Sequence, residues 1–286
     1  MKEQRQLIYF LLLNFALGIL ISLIVMRTGG HDSEYIGIGY VSMFIPAISV
    51  LIMKLFFKAE VGTIDWNKFP IKWVPVALFL IPLAIHAICI PLDAFLNNGT
   101  IPWQSWLHAD TDGLYHSPPE RNWGTLTSSG LVLRILLNMV IGLAILTILV
   151  FFEEIGWRVW MFSRLMKSFD IKKTILIGAI IWGAWHIPFD ISGIHYIEGI
   201  PTHQMVVMNL LGYIGAGVFI GWLWVKSQSI WIICLTHASL NNWGQYAFKY
   251  IEDAQNVTLL HTGVNCALLI LGVIVWILIK TKPFKM

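Results

Sequence analysis

The chain has 286 residues, of which 57% are hydrophobic and 12% charged, with a formal net charge of +3. Its mean hydropathy is +0.72, whereas soluble domains carry about 25% charged residues. A water-soluble fold of this make-up would expose apolar patches large enough to aggregate. An ordinary cytosolic enzyme, a disordered chain and a nucleic-acid binder are therefore excluded, and bilayer spans become the unit to count.

The first apolar run, 7–26, is too long for a signal-peptide core and has no small-residue cleavage site after it, so it is expected to stay as a span. The second run covers 36–57. The third, 73–92, carries Pro75, Pro82 and Pro91 and is expected to be a kinked helix. The long connection 93–128 follows, with Trp103, Trp106 and Trp123 suited to a membrane–water interface. Its His108, Asp110, Asp112 and His116 read as a polar loop rather than a metal site. Asn98-Gly99-Thr100 fits the glycosylation sequon, which matters only in a eukaryotic lumen.

The fourth run, 130–152, continues in helical character toward residue 168. The remaining runs are 174–189, 205–225, 230–248 and 262–280, and the polar loop 190–203 holds Asp190, His195, Glu198 and His203. The pattern lacks the alternation of barrel strands and has no internal repeat of the kind found in transporters. The expected fold is all-α, a polytopic membrane protein of about eight spans. Residues 1–286 form one integral membrane domain, with a core at 130–248 and an extracytoplasmic loop at 93–128. Cys89, Cys234 and Cys266 each lie in apolar runs without metal or redox spacing and read as packing residues.

Lysine and arginine set the orientation. Lys2, Arg5, Lys54, Lys58, Lys68, Lys72, Arg158, Arg164, Lys167, Lys172, Lys173, Lys226, Lys280, Lys282 and Lys285 fall on one side. Arg27, Arg121, Arg134 and Lys249 fall on the other. The positive-inside rule then puts both termini in the cytoplasm of a plasma-membrane protein, and an even number of spans agrees.

Of the sixteen acidic residues, Glu153 and Glu154 alone read as lying inside an apolar stretch, VFFEEIGWRVWMF. Carboxylates at bilayer depth cost about 2.5–3.5 kcal/mol on insertion scales and mark function by default. Glu154 and Arg158 are one helical turn apart and can neutralise each other. Glu153 points about 100° away and has no cation nearby in sequence. His186 lies in IIWGAWHIPF, and His237 lies in ICLTHASLNNW with Asn241 four residues on. His86 reads as an ordinary packed histidine. From the basic boundary at ~1.5 Å per residue, Glu153, His186 and Asn241 lie ~20 Å deep and His237 ~14 Å. Polar groups from three helices thus converge on one layer.

Glu153-Glu154-x-x-x-Arg158, Trp182-x-x-x-His186 and His237-x-x-x-Asn241, in this order inside apolar helices, resemble the CPBP family of intramembrane proteases. This is the CAAX-protease and bacteriocin-processing family, which includes the Rce1-type prenyl-protein endoprotease. The matched part covers roughly 150–245, a catalytic core of the fourth to seventh helices. The family's second motif commonly begins with Phe, and Trp182 in that place is expected to reshape the pocket wall.

The resemblance implies an endopeptidase acting on a membrane-associated protein or peptide, with no obligatory cofactor. Carried across, Glu153 is the general base, His186 holds the water, and His237 and Asn241 stabilise the oxyanion. Glu154, Arg158 and Trp182 give structural support. Glu153, His186 and His237 could also form a His₂Glu zinc set. The lack of an HExxH helix and the origin of the three residues on separate helices favour metal-free chemistry. Two other functions compete: a non-catalytic bacteriocin-immunity or regulatory protein, against which the complete motif set argues, and a proton-coupled transporter, against which the missing repeats argue. The partners expected are the lipid bilayer and a membrane-associated peptide substrate, not nucleic acid.

Overall fold

A computed structural model describes residues 2–62, 64–96, 109–116, 124–242 and 257–279. It is an all-α polytopic membrane protein. Helix α1 is Lys2–Arg27. A 3₁₀ segment, Ile36–Phe44, leads into α2, Ile45–Phe57, with a proline at the start of the helix where no donor is needed. Helix α3, Val74–Leu96, keeps Pro82 and Pro91 inside. Helix α4 is a 38-residue rod, Ser128–Leu165. It is followed by α5 (Ile171–Ser192), α6 (Thr202–Ser227), α7 (Ile230–Asn241) and α8 (Val257–Leu278).

Seven of these helices are long and apolar enough to cross a membrane. The seventh in order, α7, is not. Its 12 residues are buried nearly throughout, and they rise only ~18 Å, short of the ~30 Å hydrocarbon core. Of the expected span 230–248, the described residues form this short helix, enclosed by protein and packed on α3, α4 and α6, and residues 243–248 lie outside the described residues. A buried helix and a lipid-facing one are equally apolar, so hydropathy does not separate them.

Helix α6 lies between α5 and α8, and α1 packs on α5 and α2. The α6–α8 crossing is close because of two glycines. A Cβ on Gly215 would sit 2.2 Å from the Leu268 carbonyl oxygen, and one on Gly272 would sit 2.5 Å from the Gly215 Cα. Small residues of this kind let helices approach in lipid, where no hydrophobic drive holds them together.

Within the 93–128 connection, Tyr115–His116 pairs antiparallel with Thr125–Leu126. Asp110 accepts hydrogen bonds from the backbone of Asp112 and Leu114, and its carboxyl lies 2.6 Å from the His116 ring. The Leu114 N–H, then His116, hold this carboxyl below its ordinary range, and the described part of the cluster, Asp110, Asp112 and His116, forms a hydrogen-bonded turn. Trp103, Trp106, His108, Trp123 and the Asn98 sequon lie outside the described residues.

Candidate functional site

Helix α4 changes its winding at the glutamates. Leu143–Glu154 is α-helical, and Ile155–Met161 is a π segment. Such wide turns recur at functional sites because they turn the following side chains relative to the α register. Glu153 is 4% exposed, Glu154 0% and Arg158 2%. Arg158 Nη1 donates to Glu154 Oε1 at 3.0 Å, which places the expected i,i+4 pair deep in the helix. Arg158 therefore does not belong to the basic belt with which the sequence grouped it.

Glu154 carries a second partner that spacing could not show. His237 Nδ1 lies 2.7 Å from the same Oε1. The carboxylate accepts from Nδ1–H, so Glu154 fixes the ring and leaves Nε2 for the cavity. His186 is fixed in the same way, with Nδ1 2.8 Å from the Trp182 carbonyl, an acceptor only. Each imidazole thus has one nitrogen spent on orientation.

Trp182 stands at the centre of the set. Its Nε1 donates to Glu153 Oε2 at 3.4 Å. Its ring meets His186 and His237 edge-on, at 4.9 and 5.3 Å between centroids, and the Arg158 guanidinium lies 5.0 Å over it. The tryptophan in the phenylalanine place thus does more than reshape a wall: it supplies an N–H to the lone glutamate.

Glu153, Trp182, His186, His237 and Asn241 line one cavity of about 1410 Å³. Asn241, at the end of α7, is exposed to it. Glu154 and Arg158 sit behind the wall. Among the described residues no group of three or more His, Cys, Asp or Glu side chains could hold a metal ion. The Glu153, His186 and His237 zinc set named from the sequence is thus not gathered into a coordination site. His86 Nδ1 lies 2.6 Å from the Pro82 carbonyl, the packed arrangement expected of it.

The structure adds a second polar group to the same cavity. Asp190 is not in a loop, as the sequence suggested, but inside α5 and 1% exposed. Its Oδ1 lies 2.7 Å from His195 Nδ1 and accepts from Asn209 Nδ2 at 3.1 Å. Tyr213 Oη lies 3.3 Å from His195 Nδ1, and its ring stacks on His186 at 4.3 Å. Asn265 Nδ2 contacts Asn209 Oδ1 at 3.4 Å. His195, Asn209, Tyr213, His261 and Asn265 all line the cavity. The signal for them was present as polar pairs one turn apart in apolar runs: His186 with Asp190, Asn209 with Tyr213, and His261 with Asn265.

Residues 134–243 match the family model described as type II CAAX prenyl endopeptidase Rce1-like. Over 116 residues the chain is 27% identical to CAAX prenyl protease 2 of Methanococcus maripaludis, covering 40% of this chain. The match spans 41% of that relative's length. The matched region runs from α4 past the end of α7 and contains every residue of the three motifs. Residues 134–243 of this chain are thus similar to the Rce1-like type II CAAX prenyl endopeptidases, in agreement with the resemblance read from the three motifs.

Proposed function

We propose that this protein is an intramembrane endopeptidase that hydrolyses a peptide bond in a membrane-associated protein or peptide, by a glutamate-activated water and without a metal. The observation that carries the reading is the single cavity onto which Glu153, His186, His237 and Asn241 open. The name of the Methanococcus maripaludis relative, CAAX prenyl protease 2, points to the same reaction class.

In this reading a water donates one hydrogen to Glu153 and the other to His186 Nε2. Glu153 takes its proton as the water oxygen adds to the scissile carbonyl. The developing oxyanion meets the Asn241 amide, a donor that needs no protonation step, and Nε2–H of His237 in its doubly protonated form. The C–N bond then breaks, and the proton held by Glu153 passes to the leaving amine. Glu154 holds His237, while Trp182 holds Glu153 and, through its carbonyl, His186. The basic helix ends support cytoplasmic termini in a plasma-membrane protein.

Glu153→Gln in the purified full chain is expected to abolish cleavage of a membrane-tethered peptide, by at least 10²-fold, the low end for a lost general base. Activity of the unaltered protein is expected to survive exhaustive chelation. Full activity in the variant rejects the glutamate's role, and loss on chelation restored by zinc rejects the metal-free route.

A further inference from the structure

The cavity has a direction. Its outer lining comes from the 3₁₀ segment before α2 (Gly37, Tyr40), the connection after α5 (His195, Glu198) and the start of α8 (Thr258, His261). These ends share their side with Arg27 and Arg134 and lie opposite the larger group of lysines and arginines. Lys54 ends α2, Arg164 ends α4, Lys172 and Lys173 open α5, and Lys226 ends α6. No lysine or arginine is among the described residues that line the cavity.

The basic face is sealed in two layers. Beneath Glu153 lie Trp157, Trp160, Phe162 and Phe219, each essentially without exposure. Phe162 fills the space left by Gly178 and Gly221 so closely that a Cβ on either would meet its ring at 3.0 Å or less. Over this floor runs the connection between α2 and α3, tied down by three side chains. Arg164 Nη2 donates to the Glu60 carbonyl at 2.7 Å, Trp231 Nε1 to that of Trp66 at 2.9 Å, and Ser229 Oγ to that of Lys68 at 2.5 Å. The open half is wet in character instead. His195, Asn209, His261 and Asn265 line it, and such side chains at membrane depth are tolerated where they face a water-filled cavity.

We propose that the site is reached only from the face opposite the basic belt, which the positive-inside rule makes extracytoplasmic. Its substrate is then a membrane-tethered peptide segment presented on the outer side, not a lipidated tail in the cytoplasm. The substrate clause rests on the peptidase reading; the direction of access does not.

The test uses the full chain with Cys266, the exposed native cysteine, replaced by Ser; Cys89 and Cys234 are buried. Leu146→Cys and Met43→Cys place a thiol on the cavity wall, and Lys173→Cys places one on the basic face. A charged, membrane-impermeant methanethiosulfonate is applied to sealed right-side-out and inside-out vesicles. The wall thiols are expected to react at least tenfold faster in right-side-out vesicles, and Lys173→Cys to show the reverse. Wall thiols that react faster in inside-out vesicles, equally in both, or in neither overturn the proposal. A tethered reporter peptide placed on either side of the vesicle reads the substrate clause. Cleavage of the outer reporter alone supports it, and cleavage of the inner one overturns it. Loss of both cleavages with outer labelling intact counts against the peptidase reading and leaves one-sided access standing.

Discussion

Two adjacent glutamates in this chain have opposite tasks, and their partners show why. Glu154 is wholly buried between a guanidinium and an imidazole. Removing its charge leaves Arg158 in a low-dielectric site without its ion-pair partner, and breaking a buried pair costs about 3–5 kcal/mol. Glu153 reaches the cavity and receives only the Trp182 N–H, which a glutamine oxygen accepts equally well. Glu154→Gln is therefore expected to lower the melting temperature of the detergent-solubilised protein sharply, while Glu153→Gln stays within about 1 kcal/mol of the parent. Thermal unfolding of the two variants measures the contrast, and equal melting points remove the division of labour. The sequence made the Glu154–Arg158 pair legible because one helix carries both residues. It left the His237–Glu154 bond hidden because 83 residues separate the partners and no helical period links them.

At the scale of elements, the apolar runs gave the number of helices and most of their boundaries, since each period of burial is written into a continuous stretch of chain. Two features escaped. The π segment Ile155–Met161 has no composition of its own, because an extra residue in a turn changes geometry and not hydropathy. Asp190 was assigned to a loop because the run before it stops at Phe189, yet α5 carries on to Ser192. The carboxylate stays inside with its Oδ1 held by His195 and Asn209, from outside that run. The glycines of α6 and α8 carry a prediction at this scale. Gly215→Ala drives a methyl group into the backbone of α8, which cannot rotate away as a side chain can. Overpacking of a tight contact costs about 1–3 kcal/mol, and a backbone neighbour puts this site at the upper end. Gly37→Ala, where a Cβ meets nothing within 4 Å, is the control. A chymotrypsin-resistance or melting assay in detergent is expected to show a loss for Gly215→Ala and none for the control.

For the molecule as a whole, orientation and function are coupled through the same helices. The basic ends of α2, α4, α5 and α6 lie on one face and the cavity mouth on the other, so knowing which face meets the cytoplasm fixes the compartment in which a substrate must lie. Alternation along the chain makes this a single choice: Lys54 at the end of α2 cannot face inward unless Lys173 at the start of α5 does too. The short α7 runs in the direction this alternation requires, because it starts at the basic face beside Lys226 and ends at the cavity with Asn241. A paired reporter reads the choice directly. A fluorescent protein that matures only in the cytoplasm, fused after Met286, is expected to glow, and a phosphatase active only outside, inserted at the exposed Gly113 turn, to be active. The exchange of these two signals would turn the molecule over. The cavity would then face the cytoplasm, the relation between mouth and basic belt would be unchanged, and a cytoplasmic lipidated tail would become the substrate that the geometry admits.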